Sequence, residues 1–387
     1  MKKTFFLLLL LSGYLLSSAQ IKNKTIRAGL FSSFYLDSAF DGAGNYILKD
    51  NFPRQAIAGL EFYEGAVMAV DSINATGISA TMEVYDIKSR QENIEKLLKQ
   101  GKFDSLDIMF FYGGLPEYIE LAKISKQKKI PLVSASYPND GGIKESPLVY
   151  IANPKINAHL QMVADQLKMR WGKANVIWFK RLDQGDNRLE QIFKETIENI
   201  KINTKPKFIT LASSFTTQDI LRALDTTKHN VLIAGSLDNN FALNFARAIS
   251  FIEKKGIIQI IGLPNWDGLK EIQSPIYAGI PIYFSSGMAP VKENKWATKF
   301  DDRIKDATGV PSSTPAIKGF ELTFYFLNVL AKHGSLTMND PSDKAFKVFN
   351  DFDFKPIYST EGAAVADYIE NKKVYFIRRL NGVESNQ

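Results

Sequence analysis

The chain has 387 residues, of which 45% are hydrophobic and 23% charged, with 27 Phe and no cysteine. This composition excludes a disordered chain, and the absence of thiols excludes a disulfide framework, a cysteine nucleophile, a thiolate metal site and a lipid acceptor on a mature amino terminus. The formal charge of +7 comes from scattered lysines, whereas a nucleic-acid footprint would be a dense basic stripe with interleaved aromatics, so no nucleic-acid partner is expected.

In chain order, the first feature is a leader. Lys2 and Lys3 precede the apolar run Phe5–Leu11, which resumes at Tyr14–Leu16 and gives way to Ser17-Ser18-Ala19. That pattern predicts a secretory signal peptide over residues 1–19, cut after Ala19, and hence an exported, periplasmic protein. The run is shorter than the ~20 residues a bilayer span needs, and every later apolar run is broken by charge, so no stable membrane insertion is expected after signal removal. Without Lys2 and Lys3 the net charge is +5.

Past the leader, short β-type runs alternate with helical patterns, the grammar of parallel sheets covered by helices on both faces. Ile26–Phe31 reads as the first strand. Gln55–Asn74 reads as a helix whose face is Leu60, Tyr63, Val67, Val70 and Ile73. Strand Met82–Ile87, helix Gln91–Gln100 and strand Leu106–Phe111 follow. Next comes FFYGGLPEY, Phe110–Tyr118, in which Pro116 suits a first helical turn and Glu117 and Glu120 suit the helix dipole, so a helix is expected directly behind Gly113-Gly114. Strand Ile130–Ser136 completes the first series.

A second series has the same form: helix Ile156–Trp171, strand Ala174–Phe179, loop Lys180–Asp186 and helix Arg188–Lys201. Thr217 is expected to cap a helix, followed by strand Asn230–Ser236, helix Asn240–Phe251, and strands Gly256–Gly262 and Ala278–Ser286. Helices Asn294–Ala307 and Pro315–His333 come next, and strands Ala363–Ile369 and Lys373–Leu380 close the chain. Length argues for two domains, and the lack of any linker longer than a loop argues that they are pressed together.

Catalytic signatures are missing. His159, His229 and His333 stand in separate elements without a second metal-ligand residue at helix spacing, and there is no H-E-x-x-H, G-x-S-x-G or G-x-x-x-x-G-K-[ST]. The nearest thing to a nucleotide fingerprint, GAGNYI at Gly42–Ile47, lacks its last glycine and reads as a surface loop. No enzyme activity, metal or cofactor is therefore expected. What remains is a set of loops at the carboxyl ends of predicted strands, where open α/β sheets place ligands. They are Ser32–Tyr35, Tyr112–Leu115, Ser134–Tyr137, Ser236–Asn239 and Pro264–Asp267. Small residues, hydroxyls, an acid and the aromatic faces of Tyr35, Tyr137 and Trp266 form the mixture that a polar small molecule between two lobes requires.

The order of these elements resembles the type I periplasmic binding proteins, in particular the leucine/isoleucine/valine-binding branch that serves ABC transporters. The similar passages are Gly59–Asn74, Tyr85–Ser89, Lys128–Pro138, Gln218–Ser236 and Pro315–Gly334. The resemblance implies an α/β fold of two doubly wound parallel-sheet lobes joined by a three-crossing hinge. It places residues 22–150 with 287–335 in the first lobe and 151–286 with 336–387 in the second. It implies hinge closure on a ligand whose carboxylate meets Gly113, Gly114, Ser134, Ala135 and Ser136. Aromatic cover and an acid for an ammonium group are then expected from Ser236–Asn239 and Pro264–Asp267. Where amino-acid binders carry an acid after the strand corresponding to Gly256–Gly262, this chain has Leu263-Pro264-Asn265-Trp266, which leaves Asp238 or Asp267 to replace it. The candidate ligand-binding residues are Tyr35, Gly113, Gly114, Ser134, Ala135, Ser136, Tyr137, Ser236, Asp238 and Trp266. Two functions stay open: capture of a small polar, amino-acid-like ligand for an ABC permease or sensor, and a cell-envelope interaction or regulatory role with a degenerate cleft.

Overall fold

Two seven-stranded sheets organise the computed structural model, which describes residues 25–49, 52–253, 257–290, 295–336 and 343–387. The expected signal peptide, and Asn294 at the expected start of a late helix, lie outside the described residues. In chain order the strands are β1 (Ile26–Ser32), β2 (Ala80–Asp86), β3 (Ile108–Tyr112), β4 (Leu132–Ser134), β5 (Val149–Ile151), β6 (Asn175–Arg181) and β7 (Lys207–Leu211). They continue as β8 (Asn230–Ala234), β9 (Ile258–Gly262), β10 (Ile282–Ser286), β11 (Phe354–Ile357), β12 (Tyr368–Asn371), β13 (Tyr375–Leu380) and β14 (Val383–Asn386). The helices are α1 (Arg54–Ala75), α2 (Ile94–Lys99), α3 (Leu115–Lys128), α4 (Ile156–Arg170), α5 (Gln184–Asn199), α6 (Thr217–Leu221), α7 (Asn239–Ser250), α8 (Lys295–Thr308) and α9 (Thr314–His333).

The first sheet has the order β11-β12-β5-β4-β3-β1-β2 and the second β14-β13-β10-β9-β8-β6-β7. Pairing is parallel except for β11 on β12 and for β13 with its two neighbours. Chain order reverses between β1 and β3 in one lobe and between β6 and β8 in the other, which is the doubly wound arrangement with its switch point at the strand carboxyl ends. The strands are continuous apolar runs because both faces are covered: Ile108–Phe111 and Val231–Ala234 are wholly buried.

The chain crosses between lobes three times, after β5, after β10 and after β12. The last crossing differs in place from the expectation. Residues 354–371, expected in the second lobe, pair through β12 with β5 and so extend the first sheet; only β13 and β14 join the second. Tyr368 and Ile369 are buried there among first-lobe residues, and Asn371 Nδ2 donates to Ala152 O (3.0 Å), tying the third crossing to the first.

Lobe-building contacts also explain the small residues of α1. Its buried face is Ala56, Gly59, Phe62, Gly65, Ala66, Ala69, Val70 and Ile73, whereas Leu60, Tyr63 and Val67, expected inside, are only half-buried. Helix α9 lies directly on that face: a Cβ on Gly65 would sit 1.9 Å from Ala316 O, and one on Gly319 2.0 Å from Phe62 O. Backbone therefore packs on backbone, and no larger side chain fits.

Candidate functional site

Sheet register brings the ends of β1, β3, β4 and β5 level, since Ser32 pairs with Tyr112, Phe111 with Ser134 and Ser134 with Ile151. The loops that follow form one edge of the first lobe. Behind β1 the chain turns around an internal anion: Asp86 accepts the N–H groups of Phe34 (3.0 Å), Tyr35 (3.3 Å), Leu36 (2.8 Å) and Lys88 (2.9 Å). Tyr35, half-buried, holds the left-handed conformation (φ 56°) that this turn demands, an uncommon one for a residue with a side chain.

Gly113 and Ser136 are latched together. Gly113 N–H donates to Ser136 Oγ (2.9 Å), which donates back to Gly113 O (3.1 Å). The Gly113 N–H, expected to face a ligand, is thus engaged inside the lobe, and the glycine is required for space: a Cβ there would lie 2.5 Å from Ile87 Cδ1. Gly114, at the start of α3, would bring a Cβ only into ordinary contact, 3.6 Å from Glu117 Oε2 and 3.8 Å from Pro116 Cδ. Ser134 and Ala135 differ from expectation. Both are fully buried, Ala135 N–H donates to Phe111 O (2.9 Å), and Ser134 Oγ finds no partner among the described residues. They end the strand within the sheet, whose interior their side chains and N–H groups serve. Tyr137 packs on Tyr118, ring centroids 5.1 Å apart, and keeps part of its surface exposed.

In the second lobe, Ser236 and Asp238 belong to a charge network that the sequence pattern did not reveal. Arg181, at the end of β6, donates to Asp186 from Nε (3.0 Å) and Nη2 (3.3 Å) and pairs through Nη1 with Asp238 (3.1 Å). Buried Ser236 Oγ donates to Asp186 Oδ1 (3.0 Å) and accepts Asp238 N–H (3.2 Å). Asp238 also caps α7 by accepting Phe241 N–H (2.7 Å). Its carboxylate is therefore already neutralised and hydrogen-bonded. Trp266 is overturned as aromatic cover: it is fully buried in the second-lobe core, its ring where a Cβ on Gly262 would fall. Indole burial there removes a large apolar area from water and leaves no face for a ligand.

The next residue, Asp267, turns the other way. Ser286 Oγ, at the end of β10, donates to its carboxylate (2.8 Å) and accepts Met288 N–H (3.0 Å) from the second crossing. Asp267 stays largely exposed; surrounding protein and the Glu384 carboxylate push its carboxyl above the ordinary range, opposed by the Ser286 hydrogen bond. In the first lobe, Lys318 Nζ on α9 donates to Asn153 Oδ1 (2.5 Å), while Asn153 Nδ2 donates to Ser136 O (2.8 Å). Burial pushes the Lys318 ammonium down to about 8, against the attraction of Asp267 and Glu321. Lys318 keeps part of its surface exposed. Glu321, one turn on and buried, accepts N–H from Phe349 (3.0 Å) and Asn350 (2.5 Å), and Asn350 Oδ1 accepts Ala289 N–H (2.6 Å) from the crossing strand.

Beside this cluster a groove of about 440 Å³ is lined mainly by the second lobe, with two acids, Asp267 and Glu384, and by Met288–Pro290 from the crossing and Thr314 from α9. Sequence reading missed Lys318 and Asn153. The available signal was PAIKGFE itself, a lysine with an acid three residues on inside a helix apolar on nearly every face. Among the described residues no group of three or more His, Cys, Asp or Glu side chains is placed to hold a metal ion. No described helix is long and apolar enough to cross a membrane.

No protein-family model matches the chain. No curated protein sequence matches it either. Solved structures do. A putative branched-chain amino acid ABC transporter protein from Rhodospirillum rubrum is similar with a TM-score of 0.67 at 12% identity, covering 94% of this chain and 100% of that one. The branched-chain amino acid transporter substrate binding protein LivJ from Streptococcus pneumoniae, in complex with isoleucine, is similar at 0.54 and 17% identity, covering 94% and 99%. A fatty acid ABC transporter substrate-binding protein from Thermomonospora curvata gives 0.52 and 12%, covering 95% and 92%. Two doubly wound sheets joined by three crossings, with a fold similar to these structures over nearly its whole length, give the chain the fold of the type I periplasmic binding proteins.

Proposed function

We propose that the protein is an exported, periplasmic solute-binding protein that captures a small polar ligand between its lobes and presents it to an ABC permease or a sensor. The observation that carries this reading is the pair of doubly wound sheets joined by three crossings, with a groove beside the second crossing lined by Asp267 from one lobe and Thr314 from the other. A ligand that touches both lobes stabilises the closed arrangement alone, so binding and closure are one equilibrium. Proteins of this fold described as binding isoleucine, leucine or a fatty acid support the reading. The envelope-regulator alternative has no feature here in its favour. Catalysis is no part of the proposal, because no nucleophile and base can be named together. Of the residues read from sequence, Tyr35, Gly114, Ser136 and Tyr137 stay as proposed first-lobe contacts at the strand ends, and Asp238 with its partner Arg181 as the second-lobe one; none of them lines the groove itself.

The test is a thermal-shift screen of the mature chain against amino acids, carboxylic acids, peptides and sugars. A ligand at 100 times its Kd adds about 2.7 kcal/mol to folding stability, so a saturable rise in Tm is expected for at least one class. No rise with any compound overturns solute capture.

A further inference from the structure

We infer that the first lobe carries a second ligand site on its outer face, a pocket between α1, α8 and α9 that takes a small aromatic anion. The site shares no lining residue with the groove beside the second crossing, and the inference stands whether or not that groove captures a solute.

The pocket, about 190 Å³, has an apolar floor and a basic rim. Phe300 from α8, Phe320 from α9 and Phe349 close its base as a trio of rings, with centroids 5.0 to 5.8 Å apart. Met68 from α1 and Val348 complete the floor; Met68, Phe320 and Val348 are only half-buried, so their apolar surface is within reach of a ligand. Helix α1 starts at the carboxyl end of β1, where Gly59 abuts Ser33, and Met68 lies about 14 Å farther along it, which sets the pocket back from the crossings. An apolar cavity of about 150 Å³ holds benzene, so this volume admits one ring with a short substituent.

The rim supplies charge. Helix α8 places Trp296, Lys299, Phe300 and Arg303 at spacings of three and four, so they share one side of the helix. Trp296 is 65% exposed, and Lys299 Nζ lies 5.0 Å from its ring centroid. Lys299 and Arg303 are like charges one turn apart, a destabilising pair on a helix, and among the described residues neither has a carboxylate within the 4.0 Å of an ion pair. The nearest acids along α8 do not answer them. Asp301 accepts the N–H (2.6 Å) and the hydroxyl (2.7 Å) of Ser312, and helical spacing sets Asp302 on the side of α8 opposite Phe300. An anion between Lys299 and Arg303 relieves their repulsion, and the Arg303 fork suits a carboxylate or a sulfonate. A ring attached to that anion covers the floor and meets the rings of Phe300, Phe320 and Trp296, contacts that favour an aromatic body over an alkyl one.

Fluorescence isolates the site, because Trp171, Trp178 and Trp266 are buried and Trp296 is exposed, so acrylamide quenching of the chain's 4 tryptophans reports Trp296. The mature chain is titrated at pH 7, by calorimetry and by quenching, with benzoate, phenylacetate, hydrocinnamate and benzenesulfonate. Phenylacetamide and hexanoate serve as the neutral and alkyl controls, and N-acetyl-Glu-Phe-Glu-amide as an acidic peptide. At least one aryl anion is expected to bind saturably, to reduce the quenching of Trp296 at least twofold, and to bind ten times or more tighter than phenylacetamide and more tightly than hexanoate. Arg303→Gln should lose at least fivefold in that affinity and Lys299→Gln a similar factor, with circular dichroism confirming that both variants fold. The inference is overturned if no aryl anion binds, if one binds without shielding Trp296, if phenylacetamide or hexanoate binds as well, or if Arg303→Gln leaves the affinity unchanged. A peptide binding ten times tighter than phenylacetate overturns it too, and makes this face a protein-docking surface. Solute capture is untouched by any of these failures, since it is read from the thermal-shift screen and from the other groove.

Discussion

At Lys318, burial lowers the ammonium pKa from 10.5 to about 8, so the unfolded chain holds that proton more tightly than the folded one. Stability then rises as pH climbs from about 8 to 10.5, where the unfolded lysine is charged and the folded one neutral. Lys318→Met should therefore be more stable than the parent at pH 7 by about 2 kcal/mol, a figure reduced for the solvent that the side chain still meets, with the advantage vanishing above about pH 10.5. Urea melts across that range check the sign; a gap that widens with pH would contradict it. Asp238 gives a second test, because it caps α7 and balances Arg181. Asp238→Ala should cost about 1 kcal/mol in the same melts, the usual worth of a helix cap. Both residues show how much of the site was legible. Asp238 was found because an acid behind a strand is visible in sequence; that Arg181 had already neutralised it depends on two loops 57 positions apart meeting in space.

Helix ends were read within a few residues wherever the cap was local. Helix α5 begins at Gln184, four residues before its expected start, because Asp183 accepts the N–H groups of Gly185 and Asp186, and a glycine that looked like loop lies inside the first turn. Thr216, one residue earlier than expected, caps α6 through a capping box with Asp219. The face of α1 was misjudged for a different reason: apolar spacing favours large side chains, whereas α9 demanded Gly65 and a close approach. Gly319→Leu should therefore destabilise the first lobe by about 3 kcal/mol, since the helices must separate to admit it. Leu60→Ala, at a half-buried position, should cost clearly less, and thermal melts of the pair compare the two.

For the whole molecule, the three crossings are joined by side chains: Asn371 to Ala152 O, Lys155 to Tyr368 (2.9 Å), and Asn350 to Ala289 N–H. Closure must bend these strands while keeping such bonds, so a ligand that raises Tm should also lower the radius of gyration in X-ray scattering; an unchanged radius at saturation would argue against closure. The sequence by itself determined the alternation of strand and helix, the two-lobed class, and the loops at strand ends, because periodicity and local caps are written in neighbouring residues. Only the tertiary structure decided that residues 354–371 extend the first sheet, since pairing with β5 is a contact made some 200 positions away. It also decided that Trp266 is core, that Asp86 and Ser136 already occupy the loop N–H groups, and that Lys318 is held by Asn153. Burial and hydrogen-bond satisfaction belong to the packed molecule, where groups distant in sequence compete for the same few donors and acceptors.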